Sequence, residues 1–284
     1  MEIASLWLEL ESVLTPVLAE FRARPTLRVE QKADATLLSE ADEAVQGQII
    51  RCIRAVDPDA VILGEEGAYG AGLLHGRGVS KRAWIIDPID GTAQFVKSDG
   101  REFCSVVCLV EDRRPVAAFV LAPEIGPGRT PVCVRLTGPG DSIEVNGMPV
   151  DALTASGAYA LSMTRSSGTP ERVCEEELVA SGYRLKTCTT SQTLDMVRAC
   201  VDLESVTDPA LEPFGLFYRE RQKIWDGAAG LCLAYAAGLN VTDRDGRERT
   251  EIDIALDLPD PVFDSTLIAS DPVAARIVVA ASGR

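Results

Sequence analysis

One run, Trp84-Ile85-Ile86-Asp87-Pro88-Ile89-Asp90-Gly91-Thr92, constrains this chain more than any other segment. Its apolar start reads as a buried strand, and its acids, proline and glycine read as a tight turn that opens a helix. The strand then delivers Asp87 and Asp90 at its end. Carboxylates there, beside the N–H groups of a helix start, are what a divalent cation and a phosphate need together. The expectation is metal-dependent chemistry on a phosphate.

Charge narrows the partners. A formal net charge of −15 argues against a nucleic-acid polymer or an anionic membrane, since both need clustered Lys and Arg. A small anionic substrate stays compatible, because a metal and a local basic patch can invert the field at a site. Residues 1–20 mix Glu2, Glu9 and Glu11 into an apolar pattern, an amphipathic helix rather than a charged-then-apolar leader. No stretch approaches the ~18 apolar residues of a membrane span, and a cytoplasmic location is expected. The eight cysteines are scattered without a C-x-x-C pair, which reads as buried free thiols. His75 is the one histidine, so a histidine-based triad or multi-histidine zinc site is disfavoured.

Periodicity and turn residues divide the chain at about residue 150. Residues 1–150 read as an α+β domain: helices over 3–21 (with Pro16 inside) and 39–56, capped by Ser39 with Asp42 at the third helical position. Strands are expected at 61–63, 83–86, 103–110, 116–121, 132–136 and 143–145, with a Gly-rich loop over 69–78. Residues 151–284 read as an α/β domain with strands at 159–164, 183–187, 203–206, 241–242 and 266–269. Its helices are expected at 171–181, 191–199, 226–237 and 272–281.

Four acidic elements occupy strand-end or helix-start positions: Asp42, Glu65-Glu66, Asp87 with Asp90, and Asp226. Singly, each has a plain structural explanation as a helix cap or a solvated turn. Together they are harder to dismiss, because Gly64, Gly91 and Gly227 flank them and apolar strands precede two of the groups. Gly64-Glu65-Glu66, Asp87-Pro88-Ile89-Asp90-Gly91-Thr92 and Trp225-Asp226 followed by Ala229-Gly230 resemble the three signatures of the inositol monophosphatase superfamily. Lys32-x-Asp34 and Ser39-Glu40-Ala41-Asp42 resemble its early segment, so the likeness covers about residues 30–240.

The resemblance implies a layered αβαβα sandwich and a magnesium-dependent phosphomonoesterase. It implies that Glu65, Asp87, the carbonyl of Ile89, Asp90 and Asp226 ligate metal. Glu66 and Asp42 would act through water. Thr92 would orient the attacking water with Glu65, while Gly91 and Thr92 N–H groups cradle the phosphate. Two or three Mg2+ per site are implied, with Mn2+ as a substitute, Li+ and Ca2+ as inhibitors, and a homodimer as the assembly. Oxygen-only ligands suit magnesium independently of the resemblance, and a threonine–carboxylate relay needs no histidine. Haloacid dehalogenase phosphatases also end a strand with two aspartates, but one residue separates theirs, whereas Pro88 and Ile89 intervene here.

Other residues bear on the substrate. Residues 90–97, Gly100-Arg101-Glu102-Phe103, Ala122-Pro123 and Thr164-Arg165-Ser166 are more similar to the bisphosphate nucleotidase branch, although Ser167 stands where that branch has histidine. Thr164, Ser191 and Arg219 are the implied substrate contacts beside Asp90, Gly91, Thr92 and Asp226. Asp195 stands where nucleotidases often carry lysine, which disfavours a second phosphate there. Arg219, Arg221 and Lys223 alternate, so a strand would place all three on one face, as a solvated edge or as a patch for a second anionic group. The expected substrate is a nucleoside 3′- or 2′-phosphate such as 3′-phosphoadenosine 5′-phosphate. The alternatives are a sugar or inositol phosphate, a specialised biosynthetic phosphate ester, or a protein that binds a phosphorylated ligand without hydrolysing it.

Overall fold

The structure is a computed structural model that describes residues 2–31, 37–69, 82–153, 159–166, 168–252 and 261–282. Lys32, Asp34, His75 and Ser167 lie outside these residues, as does most of the segment expected as a Gly-rich loop.

Helix α1 (Ile3–Arg22) buries Leu6, Trp7, Leu10, Leu14, Leu18 and Phe21, the one-sided stripe that a 3.6-residue period produces. Helix α2 (Glu40–Val56) starts where expected: the Asp42 carboxylate accepts from the Ser39 N–H at 2.7 Å and the Ser39 hydroxyl at 2.6 Å. A short hairpin, β1 (Val29–Gln31) and β2 (Leu37–Ser39), precedes it.

An eight-stranded sheet follows. Its strands are β3 (Ile62–Gly64), β4 (Gly67–Tyr69), β5 (Arg82–Asp90) and β6 (Cys104–Glu111), then β7 (Arg114–Ala122), β8 (Val132–Leu136), β9 (Glu144–Val145) and β10 (Met148–Pro149). They lie in the order β10-β9-β8-β7-β6-β5-β3-β4, antiparallel except for β3 beside β5. The short helix α3 (Thr92–Phe95) leaves the end of β5. A five-stranded sheet contains β11 (Ala160–Arg165), β12 (Arg184–Cys188), β13 (Leu216–Lys223), β14 (Asn240–Thr242) and β15 (Val262–Ala269), in the order β12-β11-β13-β15-β14. Helices α4 (Val173–Ala180), α5 (Gln192–Cys200), α6 (Ile224–Ala236) and α7 (Pro272–Ser282) complete the chain.

Period-two alternation in the strands builds the layers. Trp84, Ile86, Val107, Leu109, Phe119 and Leu121 face α1 and α2. Their neighbours Ile85, Val106, Cys108 and Val120 face α5 and α6, which also cover Phe217, Phe263 and Ile268 of the smaller sheet. Leu161, Met163, Leu216, Tyr218 and Leu267 project from that sheet's other face onto α4 and α7. The result is the αβαβα sandwich, with α5 and α6 as the middle layer. None of the eight cysteines forms a disulfide, and seven are buried.

Some local expectations need correction. Residues 204–206 form a 3-10 turn rather than a strand, because Leu203 and Val206 are three apart and both turn inward, a helical spacing. Tyr69, expected to open the loop, instead ends strand β4 (Gly67–Tyr69), which pairs with β3. The strand that Arg219, Arg221 and Lys223 require exists as β13 and begins earlier, at Leu216.

Helices α5 and α6 touch where Gly230 meets Met196. A Cβ at Gly230 would lie 2.5–2.6 Å from Met196 side-chain atoms. Gly230→Ala is therefore expected to cost about 1–3 kcal/mol in urea denaturation, and Met196→Ala in the same chain should recover part of that loss.

Candidate metal and phosphate site

In a regular strand, residues three apart point to opposite faces. Asp87 and Asp90 escape that rule through a bulge. Asp87 pairs with Val106 but Asp90 pairs with Cys104, so β5 gains a residue at Pro88–Ile89. The Ser105 hydroxyl pins the bulge by donating to the Pro88 carbonyl at 2.6 Å, and the Ile89 N–H donates to Asp87 Oδ1 at 2.9 Å. Both acids thereby face the middle helical layer.

Two helix starts converge on them. Asp226 sits in the first turn of α6. Asp90 lies at the start of α5, where it accepts from the Ser191 hydroxyl at 2.7 Å, the Thr193 N–H at 2.6 Å and the Gln192 N–H at 3.3 Å. The Gln192 amide donates to Asp226 Oδ2, and the Thr193 hydroxyl donates to the Asp226 carbonyl at 2.9 Å. Carboxylate oxygens of Asp87, Asp90 and Asp226 all lie within 4.8 Å of one another, and all three residues are buried.

Glu65 and Glu66 follow β3 in a turn braced by α2. Gln46 Oε1 accepts from the Glu66 N–H at 3.4 Å, and a Cβ at Gly64 would come within 2.5 Å of that same oxygen. Glu65 lines the cleft with Asp87, Ile89 and Asp90. Gly91 has φ +93°, a left-handed turn that a side chain would strain, and carries the chain into α3. The Thr92 hydroxyl faces the Ile89 carbonyl at 3.0 Å and Asp42 Oδ1 at 3.4 Å. Arg22 fixes the segment beyond α3, donating to the carbonyls of Phe95, Lys97 (2.7 Å) and Gly100 (3.0 Å) and to Glu124 (2.9 Å).

Electrostatically this cluster is overloaded. Burial, then the charges of Glu65, Asp90, Asp226 and Asp42, push the Asp87 carboxyl well above the usual range. Burial, then Asp90 and Glu65, do the same to Asp226, with Arg219 opposing. Asp90 is raised by burial but held back by the donors of α5. Asp87 Oδ2 is buried and no donor among the described residues reaches it. An orphaned buried oxygen among converging carboxylates fits a divalent cation, and an oxygen-only donor set suits Mg2+ or Mn2+. Asp87, Asp90, Asp226 and Glu65, with the carbonyl of Ile89, are placed to hold it.

The acids floor a cleft of about 730 Å³ whose wall includes Gly91, Thr92, Arg165, Ser166, Thr189, Thr190 and Arg219. Thr164 and Ser191, expected as substrate contacts, are fully buried: Thr164 sits inside β11, while Arg165 and Ser166 form the wall, and Ser191 lies behind Asp90. Asp195 also points inward, to Ser162 (2.8 Å) and Lys186 (2.6 Å). Sequence reasoning missed Gln46, Ser105, Gln192 and Thr193, which position the acids. Only Gln192 and Thr193 left a signal, as the residues just after a helix-capping serine.

The inositol monophosphatase family model matches residues 6–276. The chain belongs to this family. It is 26% identical over 223 residues to the 3′(2′),5′-bisphosphate nucleotidase CysQ of Escherichia coli K12, covering 77% of this chain and 81% of that protein. It is 29% identical over 225 residues to the histidinol-phosphatase of Mycobacterium tuberculosis H37Rv, covering 78% and 79%. A Thermotoga maritima IMPase structure superposes with a TM-score of 0.71 at 22% identity, covering 96% of this chain and 95% of that one. The inositol monophosphatase family is metal-dependent, and the chain is a phosphoric monoester hydrolase.

Acids raised above their unfolded values hold protons that the unfolded chain releases, so the metal-free protein loses stability as pH rises past the usual carboxylate range. Magnesium should relieve that repulsion and release the protons. Calorimetry should show a larger magnesium-induced rise in Tm at about pH 8 than at about pH 5. Asp87→Asn should raise the Tm of the metal-free chain and remove most of the magnesium effect.

Proposed function

We propose that this enzyme is a magnesium-dependent phosphatase of small phosphorylated nucleosides, releasing a 3′- or 2′-phosphate. The observation that carries the metal-dependent reading is the orphaned Asp87 oxygen among Asp90, Asp226 and Glu65. Bound magnesium would supply Lewis acidity and charge neutralisation at the phosphate. Gly91 and Thr92 line the cleft, and their N–H groups would hold phosphate oxygens. Thr92 orients the attacking water with Glu65, which takes its proton, and Asp42 backs the threonine hydroxyl. Glu66, one residue farther along the same turn, acts through water.

The nucleoside assignment rests on three supports. The cleft, at about 730 Å³, is large enough for a nucleotide-sized ligand. Ser166, Thr189 and Thr190 offer hydroxyls along its wall, and Arg219 offers a cation. Similarity to the bisphosphate nucleotidase CysQ spans most of both chains. The hydroxyl-lined wall also suits a sugar or inositol phosphate, which is the second reading. Histidinol phosphate fits less well, because Arg219 would face the substrate's ammonium. Buried free thiols agree with a reducing, cytoplasmic compartment.

Phosphate release should be measured with and without magnesium on 3′-AMP, 2′-AMP, 5′-AMP, inositol 1-phosphate and histidinol phosphate. Magnesium-dependent release fastest from 2′- or 3′-AMP is expected, and a preference for inositol or histidinol phosphate would overturn the nucleoside assignment. Asp87→Asn should lower kcat/KM at least about a hundredfold, the scale of losing one charge-stabilising group. It is a cleaner test than Asp90→Asn, whose amide would also meet the donors of α5.

A further inference from the structure

We propose that an alcove opening off the cleft at Arg219 is a second anion subsite, so that the preferred substrate carries a second phosphate or a carboxylate besides the scissile phosphate. The proposal rests on the phosphatase reading of the acid cluster and deepens it.

The alcove, about 370 Å³, is lined by Arg165, Arg172, Arg219, Arg221, Lys223 and Glu220 among others. It is continuous with the cleft, since Arg165, Ser166, Gln192, Arg219 and Asp226 line both. Arg219 stands at the junction. It is 8% exposed, and among the described residues its guanidinium donates to neutral hydroxyls, Ser166 at 3.0 Å and Thr189 at 3.3 Å. Its buried Nε has no partner among the described residues. Asp226 and Asp90 act on this guanidinium from the metal side without an ion pair to it among the described residues, and an anion in the alcove would offset the rest of its burial cost.

Two other arginines of the alcove are already compensated. Arg165 pairs with Glu175 at 2.5 Å, and Arg172 pairs with Glu175 at 3.3 Å and Glu220 at 3.8 Å. Glu220, an acid on this wall, faces Arg172 and accepts from the Tyr218 hydroxyl at 2.8 Å, and its charge acts on Arg219 less than those of Asp226 and Asp90 do. Arg221 is exposed on the same strand, two residues on, and lines the alcove with Arg219. Among the described residues, α5 brings no cation into the alcove lining. In the first turn of α5, Asp195 is fully buried and holds Lys186 at 2.6 Å, which also meets Glu102 at 2.8 Å. A second negative group is therefore met from β13 and not from α5.

Two matched pairs test this: 3′-phosphoadenosine 5′-phosphate against 3′-AMP, and fructose 1,6-bisphosphate against fructose 1-phosphate. Each is read as kcat/KM where phosphate is released, and as affinity by titration of the magnesium-loaded protein where it is not. The wild type is expected to favour the bisphosphate member about tenfold or more, mainly through KM or Kd. Arg219→Gln should abolish that preference and Arg219→Lys should restore part of it. Arg221→Asn, whose side chain tolerates the φ of +51° there, should reduce it about threefold. Because Arg221 is exposed, that variant decides the matter if Arg219→Gln fails to fold. Equal values for both members in the wild type, or an unchanged preference in the arginine variants, would overturn the subsite. Tighter bisphosphate binding that depends on Arg219, with no phosphate released from any member, would leave the subsite standing and overturn the phosphatase reading for these substrates.

Discussion

Mutual repulsion among buried carboxylates is the constraint around which this molecule is organised. Asp87, Asp90 and Asp226 crowd within 4.8 Å at the buried floor of the cleft, with Glu65 also lining it. A fold can tolerate such a cluster by holding protons on it, by supplying compensating dipoles or by accepting a cation. The chain supplies dipoles in part, by aiming the starts of α5 and α6 at the acids. It leaves room for a cation, because Asp87 Oδ2 has no donor among the described residues. Stability given up by the metal-free chain returns as metal affinity.

The layered architecture makes that arrangement possible. The β5 bulge brings two acids from one strand to one face, and the middle layer brings the third. Close contact between Gly230 and Met196 packs α5 against α6. That packing sets where both helices begin and hence where the donors of Ser191, Gln192 and Thr193 meet Asp90 and Asp226. Behind α3, Arg22 gathers several carbonyls and holds the turn beside the cleft from the α1 side. The floor of the cleft and its wall thus draw on different sheets: the acids of β5 on the larger, Arg219 on the smaller.

Much of this was legible in the residues. The α2 capping box announced itself as Ser39 followed by Asp42, and β5 as an apolar run ending in acids. The convergence of Asp87 with Asp90 was legible as a motif but not as geometry, because a bulge is a matter of register with the neighbouring strand. Thr164 and Ser191 show the same limit. Their neighbours Arg165 and Gln192 face the cleft, and one position along a strand or helix start decides which side chain does. Leu203 and Val206 misled because an isolated apolar pair fits a strand or a turn until packing chooses. Asp195 read as a lost cation in the cleft, whereas its carboxylate is turned inward to Lys186 and Ser162.

The most direct test is anomalous diffraction from crystals grown with manganese. The account predicts manganese peaks bounded by the carboxylates of Asp87, Asp90 and Asp226, with Glu65 and the Ile89 carbonyl turned toward them. Crystals whose anomalous peaks lie elsewhere, or whose three aspartates remain free of metal at saturating manganese, would contradict it.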